Sequence, residues 1–191
     1  IALAHAALRN QDKPTARQEA QFARELATDS ELAVLTQAQV LERAEALNTV
    51  QEFLRTHPNS QEIQLAYGTM LIEDKRLDEA KLAFLALLAQ QTASQAPTAS
   101  TLYAIGAIEL ELGKTESAES YFLRFLQVIT PNIDPSNAYI NLAQIALQKQ
   151  DKKAVDAWLA KIDYREGKNP VWMKVQLRRA LLIANDRGAG A

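Results

Sequence analysis

Apolar residues recur at three- and four-residue intervals through nearly the whole chain, and no stretch alternates as a strand would. Read with its punctuation, the pattern predicts helices near 2–10, 14–27, 30–40, 43–56, 60–73, 77–91, 98–112, 115–129, 136–149, 151–161 and 170–185, with 30–40 and 43–56 close enough to run together. Helix starts are signalled by Ser30, by Asn59-Ser60 after Pro58 and by Ser136-Asn137 after Pro135, and Pro170 suits a first helical turn. Gly113 is placed to end a helix in the left-handed conformation. Two connections stand out: 90–101 is small and polar, and 130–137 carries two prolines and should be stiffer.

The helical pattern repeats. LIEDKRLDEAKLAF (71–84) sets Ala80 among charged neighbours with Phe84 one turn later. The same spacing returns with Ala118 and Phe122, and again with Ala154 and Trp158, while a weaker copy has Ala46 and Val50. The four alanines lie 34, 38 and 36 residues apart, the period of a stacked helical repeat, whose insertions go into loops. Each unit also carries a small residue, Gly68, Gly106 or Ala143, on the preceding helix. Small residues on both helices allow a close antiparallel crossing, and the ring one turn on is expected to fill the space against the next unit.

This pattern resembles the tetratricopeptide repeat, through Tyr67, Gly68, Leu71, Ala80, Phe84 and Leu87 in one copy. Ile105, Gly106, Gly113, Ala118, Phe122 and Phe125 carry it in the next, then Leu142, Ala143, Ala154 and Trp158. The resemblance implies an all-α fold, a right-handed superhelix of stacked antiparallel helix pairs. The expected organisation is one solenoid, with a divergent pair over 1–29, repeats over 30–60, 61–98, 99–135 and 136–168, and a half repeat and tail over 169–191. YAIGAIELELG, AESYFLRFL, AYINLAQIALQ and QLRRALLIAND further resemble the tetratricopeptide lipoproteins of Gram-negative bacteria. That resemblance implies a periplasmic protein at the outer membrane, an adaptor for a carboxyl-terminal processing protease; a cytoplasmic location is the alternative. The chain starts at Ile1 inside a helical pattern and reads as a piece of a longer protein, so a signal or lipidation site would lie upstream.

Composition narrows the chemistry. The 191 residues carry a net charge of −2, which argues against a general nucleic-acid binder. There is no cysteine, hence neither disulfide nor thiol catalysis, and no window is apolar enough to span a membrane. Gly113-Lys114-Thr115 looks like the end of a phosphate loop, but Ile108 stands where that loop needs glycine, and a helix rather than a strand precedes it. His5 and His57 lack metal-ligand spacing to any second ligand. No enzyme activity, cofactor or metal is expected.

Stacked helical hairpins bind extended peptides on their concave side, which the first helices line. In this register the candidates are Glu62, Leu65 and Thr69; Tyr103, Ala107 and Leu110; Asn137, Ile140, Asn141, Gln144 and Gln148; and Lys174 and Arg178 on the last helix. Tyr103 and Ile140 are the expected anchors, with Asn141 and Gln144 orienting a peptide backbone. Leu65, Thr69, Tyr103 and Ala107 occupy the places where a clamp for a terminal carboxylate would need lysine and asparagine. A protein or peptide partner is therefore expected in the groove, with self-association through exposed apolar helix faces as the alternative.

Overall fold

The computed structural model describes residues 1–96 and 98–162, with Met173, Gln176 and Ala180 beyond them. Among the described residues there are ten α-helices and no strand. They are α1 (Ala2–Arg9), α2 (Lys13–Leu26), α3 (Glu31–Val40), α4 (Arg43–Thr56), α5 (Gln61–Glu73), α6 (Leu77–Ala93), α7 (Ala99–Glu111), α8 (Thr115–Val128), α9 (Ser136–Gln148) and α10 (Lys152–Leu159). The chain divides into two compact units, Ile1–Ala96 and Pro97–Ala191. In the first, α1–α2, α3–α4 and α5–α6 pack as consecutive pairs, and α3 meets both α1 and α5. In the second, α7–α8 and α9–α10 form pairs and α8 meets α9. The helix expected near 170–185 lies outside the described residues, apart from Met173, Gln176 and Ala180. Met173 is exposed.

Local chemistry accounts for the helix ends. Asp12, Ser30, Ser60 and Asp151 cap α2, α3, α5 and α10, each accepting a backbone N–H three residues on. At α9 the cap is displaced by one turn residue: Asp134, not Ser136, is the acceptor, taking the Ser136 N–H at 2.9 Å and its hydroxyl at 2.6 Å. Those two bonds hold the Asp134 carboxyl below its ordinary pKa. Leu41 and Glu42 are both extended, so α3 and α4 are separate helices.

The turns inside four pairs share one form. The second residue after the first helix sits in the left-handed region at Gln11, Lys75, Gly113 and Gln150, with φ of 61°, 60°, 75° and 59°. In each, that residue's N–H and the next one reach back to the last helical turn, as in Lys75 to Ile72 and Arg76 to Leu71. This is the Schellman closure, and only Gly113 among the four adopts it without a Cβ penalty.

The repeated alanine marks a tight crossing, as its spacing implies: Ala46, Ala80 and Ala118 are buried. The ring one turn later packs within its own pair. A Cβ placed on Gly68 would meet the Phe84 ring at 2.7 Å, and one on Gly106 would meet the Phe122 ring at 2.9 Å. Each phenylalanine therefore lies against the glycine of its own pair and closes that pair. Trp158 likewise stacks on Tyr139 of α9, with ring centroids 5.9 Å apart. The smallest residue sits under the largest ring because two helices at close approach leave no room for a Cβ there.

Candidate functional site

A recess of the first unit lies between α3 and α5. It encloses about 480 Å³ and is lined by Leu35, Ala38 and Gln39 from one helix and by Glu62, Leu65, Ala66, Thr69, Met70 and Glu73 from the other. Three of the expected residues, Glu62, Leu65 and Thr69, are thus brought together. The α3 side escaped the sequence reading because that helix lacks the glycine and ring signature. A signal was present nonetheless: α3 and α5 both begin one residue after a capping serine, so Leu35 and Gln39 hold the helical positions of Leu65 and Thr69.

The floor is apolar for a structural reason. Leu35, Ala38 and Met70 are partly buried and pack from behind on the core cluster of Val34, Val50, Phe53 and Ile63. They cannot turn away from the groove without opening that core. The polar groups sit on the rim. Thr69 spends its hydroxyl on the Leu65 carbonyl at 2.8 Å, so it offers the groove mainly its methyl. Glu73 faces Arg43 at 3.4 Å, which compensates its charge. Glu62 and Gln39 are exposed and have no hydrogen-bond or ion-pair partner among the described residues.

The second unit treats the matching positions differently. Tyr103 packs its ring on Phe122 and Phe125, with centroids 5.6 and 5.5 Å away. Its hydroxyl accepts a hydrogen bond from Asn141 Nδ2 at 3.3 Å. Burial raises the Tyr103 pKa above its ordinary value, partly offset by that bond. The two residues expected to meet a partner therefore hold each other. Ile140 is only 2% exposed and belongs to a core cluster with Ala143, Ala146, Leu147 and Val155. The anchor expected at Ile140 is corrected: it shares its stripe of α9 with Ala143 and Leu147, the stripe turned to α10. Asn137 and Gln148 are exposed, while Ala107, Leu110 and Gln144 are partly covered. Lys174 and Arg178 lie outside the described residues.

The features set aside in the sequence have ordinary structural employment. Gly113 follows a helix and is the left-handed turn residue. His57 stacks on Phe53 at 4.1 Å, and His5 faces the Thr36 hydroxyl at 3.4 Å. Among the described residues no cluster of histidines and carboxylates is arranged for a metal, and no helix is long and apolar enough to cross a membrane.

No protein-family profile matches the chain, and neither does any curated protein. Solved structures do. PilF of Pseudomonas aeruginosa superposes with a TM-score of 0.75 at 18% identity, over 99% of this chain and 85% of that one. PilW, described as a widely conserved type IV pilus biogenesis factor, gives 0.75 at 24% identity, over 98% and 86%. MamA of Desulfovibrio magneticus RS-1 gives 0.67 at 16%, over 84% and 89%. A thermophilic tetratricopeptide repeat protein of Thermus thermophilus is among the further matches, at 0.61 and 14% over 96% of each chain. At these identities the likeness establishes the fold: the chain is built as a tetratricopeptide repeat protein.

Proposed function

We propose that the chain is a protein-interaction scaffold that holds a segment of a partner protein in the groove between α3 and α5. The observation that carries this reading is the groove itself: an apolar floor held open by the core behind it, with unengaged polar groups at its rim. Such a recess, with a few polar groups to orient a guest, is the form of a binding site. The fold supports the same reading, since stacked helix pairs present extended surfaces to partners. No catalytic role is assigned to any residue.

The partner is a protein of the bacterial envelope and the working location is the periplasm, with outer-membrane anchoring through a preceding segment. Two considerations favour this. The sequence resembles outer-membrane lipoproteins that serve a processing protease, and the fold resembles PilW, a pilus biogenesis factor. Self-association is the competing reading, and Phe22 and Leu26, exposed one turn apart on α2, are where it would begin.

The test is a photo-reactive side chain placed at Leu65, with Leu82 on α6 as an exposed control. Expressed in a Gram-negative periplasm, the Leu65 probe should give a hetero-adduct that the Leu82 probe lacks and that Thr69→Trp, which fills the groove, removes. Adducts common to both positions, or only homodimers from Leu65, would refute the groove as the partner site.

A further inference from the structure

Resting on the groove reading above, we infer that the segment bound there is extended, cationic and of fixed register: a bulky apolar side chain with lysine or arginine two residues away. Of the two rim carboxylates, Glu73 is answered by Arg43, whereas Glu62 has no partner among the described residues. Gln39 supplies only an amide and Thr69 has committed its hydroxyl, so the net character of the rim is one uncompensated negative charge at the Glu62 end. An anionic guest, including a terminal carboxylate, would meet that charge with no cation of the groove to offset it. A cationic guest gains an ion pair beside an apolar surface, where water screens it less than on an open face.

Geometry sets the register. Glu62 precedes Ala66 by one turn of α5, so its Cα lies about 6 Å along the helix axis from that of Ala66. In an extended chain, side chains at i and i+2 point the same way and lie about 6.7 Å apart. An apolar residue seated on Leu65 and Ala66 therefore brings the side chain two places away over Glu62. Stacked helix pairs present elongated surfaces, which suit an extended chain.

The experiment is a selection of random displayed dodecapeptides on the full chain, followed by affinity measurement of the recovered peptides as synthetic fluorescent probes. Wild type should enrich sequences with lysine or arginine two residues from Leu, Ile, Met or Phe. Glu62→Gln should weaken these peptides by about two- to fivefold and flatten their salt dependence, the size expected of one partly exposed ion pair. Glu62→Lys should enrich aspartate or glutamate at the same spacing. Glu62 is exposed at the start of a capped helix, so both variants should fold, as circular dichroism will report. Peptides lost on Thr69→Trp but showing no cation at fixed spacing would overturn this inference and leave the groove standing. Peptides indifferent to Thr69→Trp, or no enrichment over the unselected pool, would overturn both.

Discussion

Leu65, Tyr103 and Ile140 hold one position, three residues before the small residue of the first helix, in three successive pairs. Leu65 lines an open groove. Tyr103 is wedged against two phenylalanines and tied through its hydroxyl to Asn141. Ile140 is sealed in the core. The position is the same in sequence, yet it passes from open groove to structural link to core. What changes is the neighbourhood. In α5 the preceding first helix offers alanine and a medium-sized leucine, leaving a trough. In α9 the stripe of Ile140, Ala143 and Leu147 is turned into the α10 interface. A repeat register thus tells which residues are equivalent, not which are exposed.

That comparison predicts unequal costs. Ile140→Ala should destabilise the second unit by about 2–5 kcal/mol, the range for deleting a large buried aliphatic side chain. Leu65→Ala, whose side chain already borders solvent, should cost far less in the same urea titration. Equal costs would erase the distinction between the two sites. Next in size are the glycines that both units share. Gly68→Ala and Gly106→Ala each drive a methyl into a phenylalanine ring, and each should cost about 1–3 kcal/mol. A tolerated Gly68→Ala would show that Phe84 is free to move and that the pair is closed some other way.

The smallest effect concerns Tyr103. Removing its hydroxyl should cost about 0.5–1.5 kcal/mol through the lost Asn141 bond. It should also change the alkaline behaviour. Because the folded pKa lies above the ordinary 10.0, folding favours the neutral phenol; this stability is fully present below pH 10 and is lost as pH rises through the folded value. Tyr103→Phe should remove that part of the alkaline decline. Urea midpoints of the two proteins between pH 9 and 11 provide the check.

The fold was largely legible in the sequence because its signals are local. Serine caps, three-and-four spacing and the recurring alanine all act within one hairpin, and the helices begin and end close to where those signals put them. Three features were not legible. Left-handed turns at Gln11, Lys75 and Gln150 carry no glycine, so only Gly113 announced the shared closure. The direction of the phenylalanine rings depends on a contact between helices, which one helix's pattern does not encode. The groove is half built from α3, where Leu35 and Gln39 had only the alignment of two serine caps to mark them. Ile140 was misread for a related reason: stripes one residue apart on a helix differ little in sequence and completely in burial.

At this repeat position Leu65 lines an accessible groove in the first unit, whereas Ile140 is interior in the second. The chain contains no cysteine, so one thiol at a time can report it without background. Leu65→Cys and Ile140→Cys would be labelled with a maleimide under native conditions, with and without the peptide selected on the groove. Rapid modification is expected at position 65, slowed when the peptide is bound, with protection at position 140 until the chain unfolds. Equal labelling at the two positions, or labelling at 65 that bound peptide leaves unchanged, would contradict it.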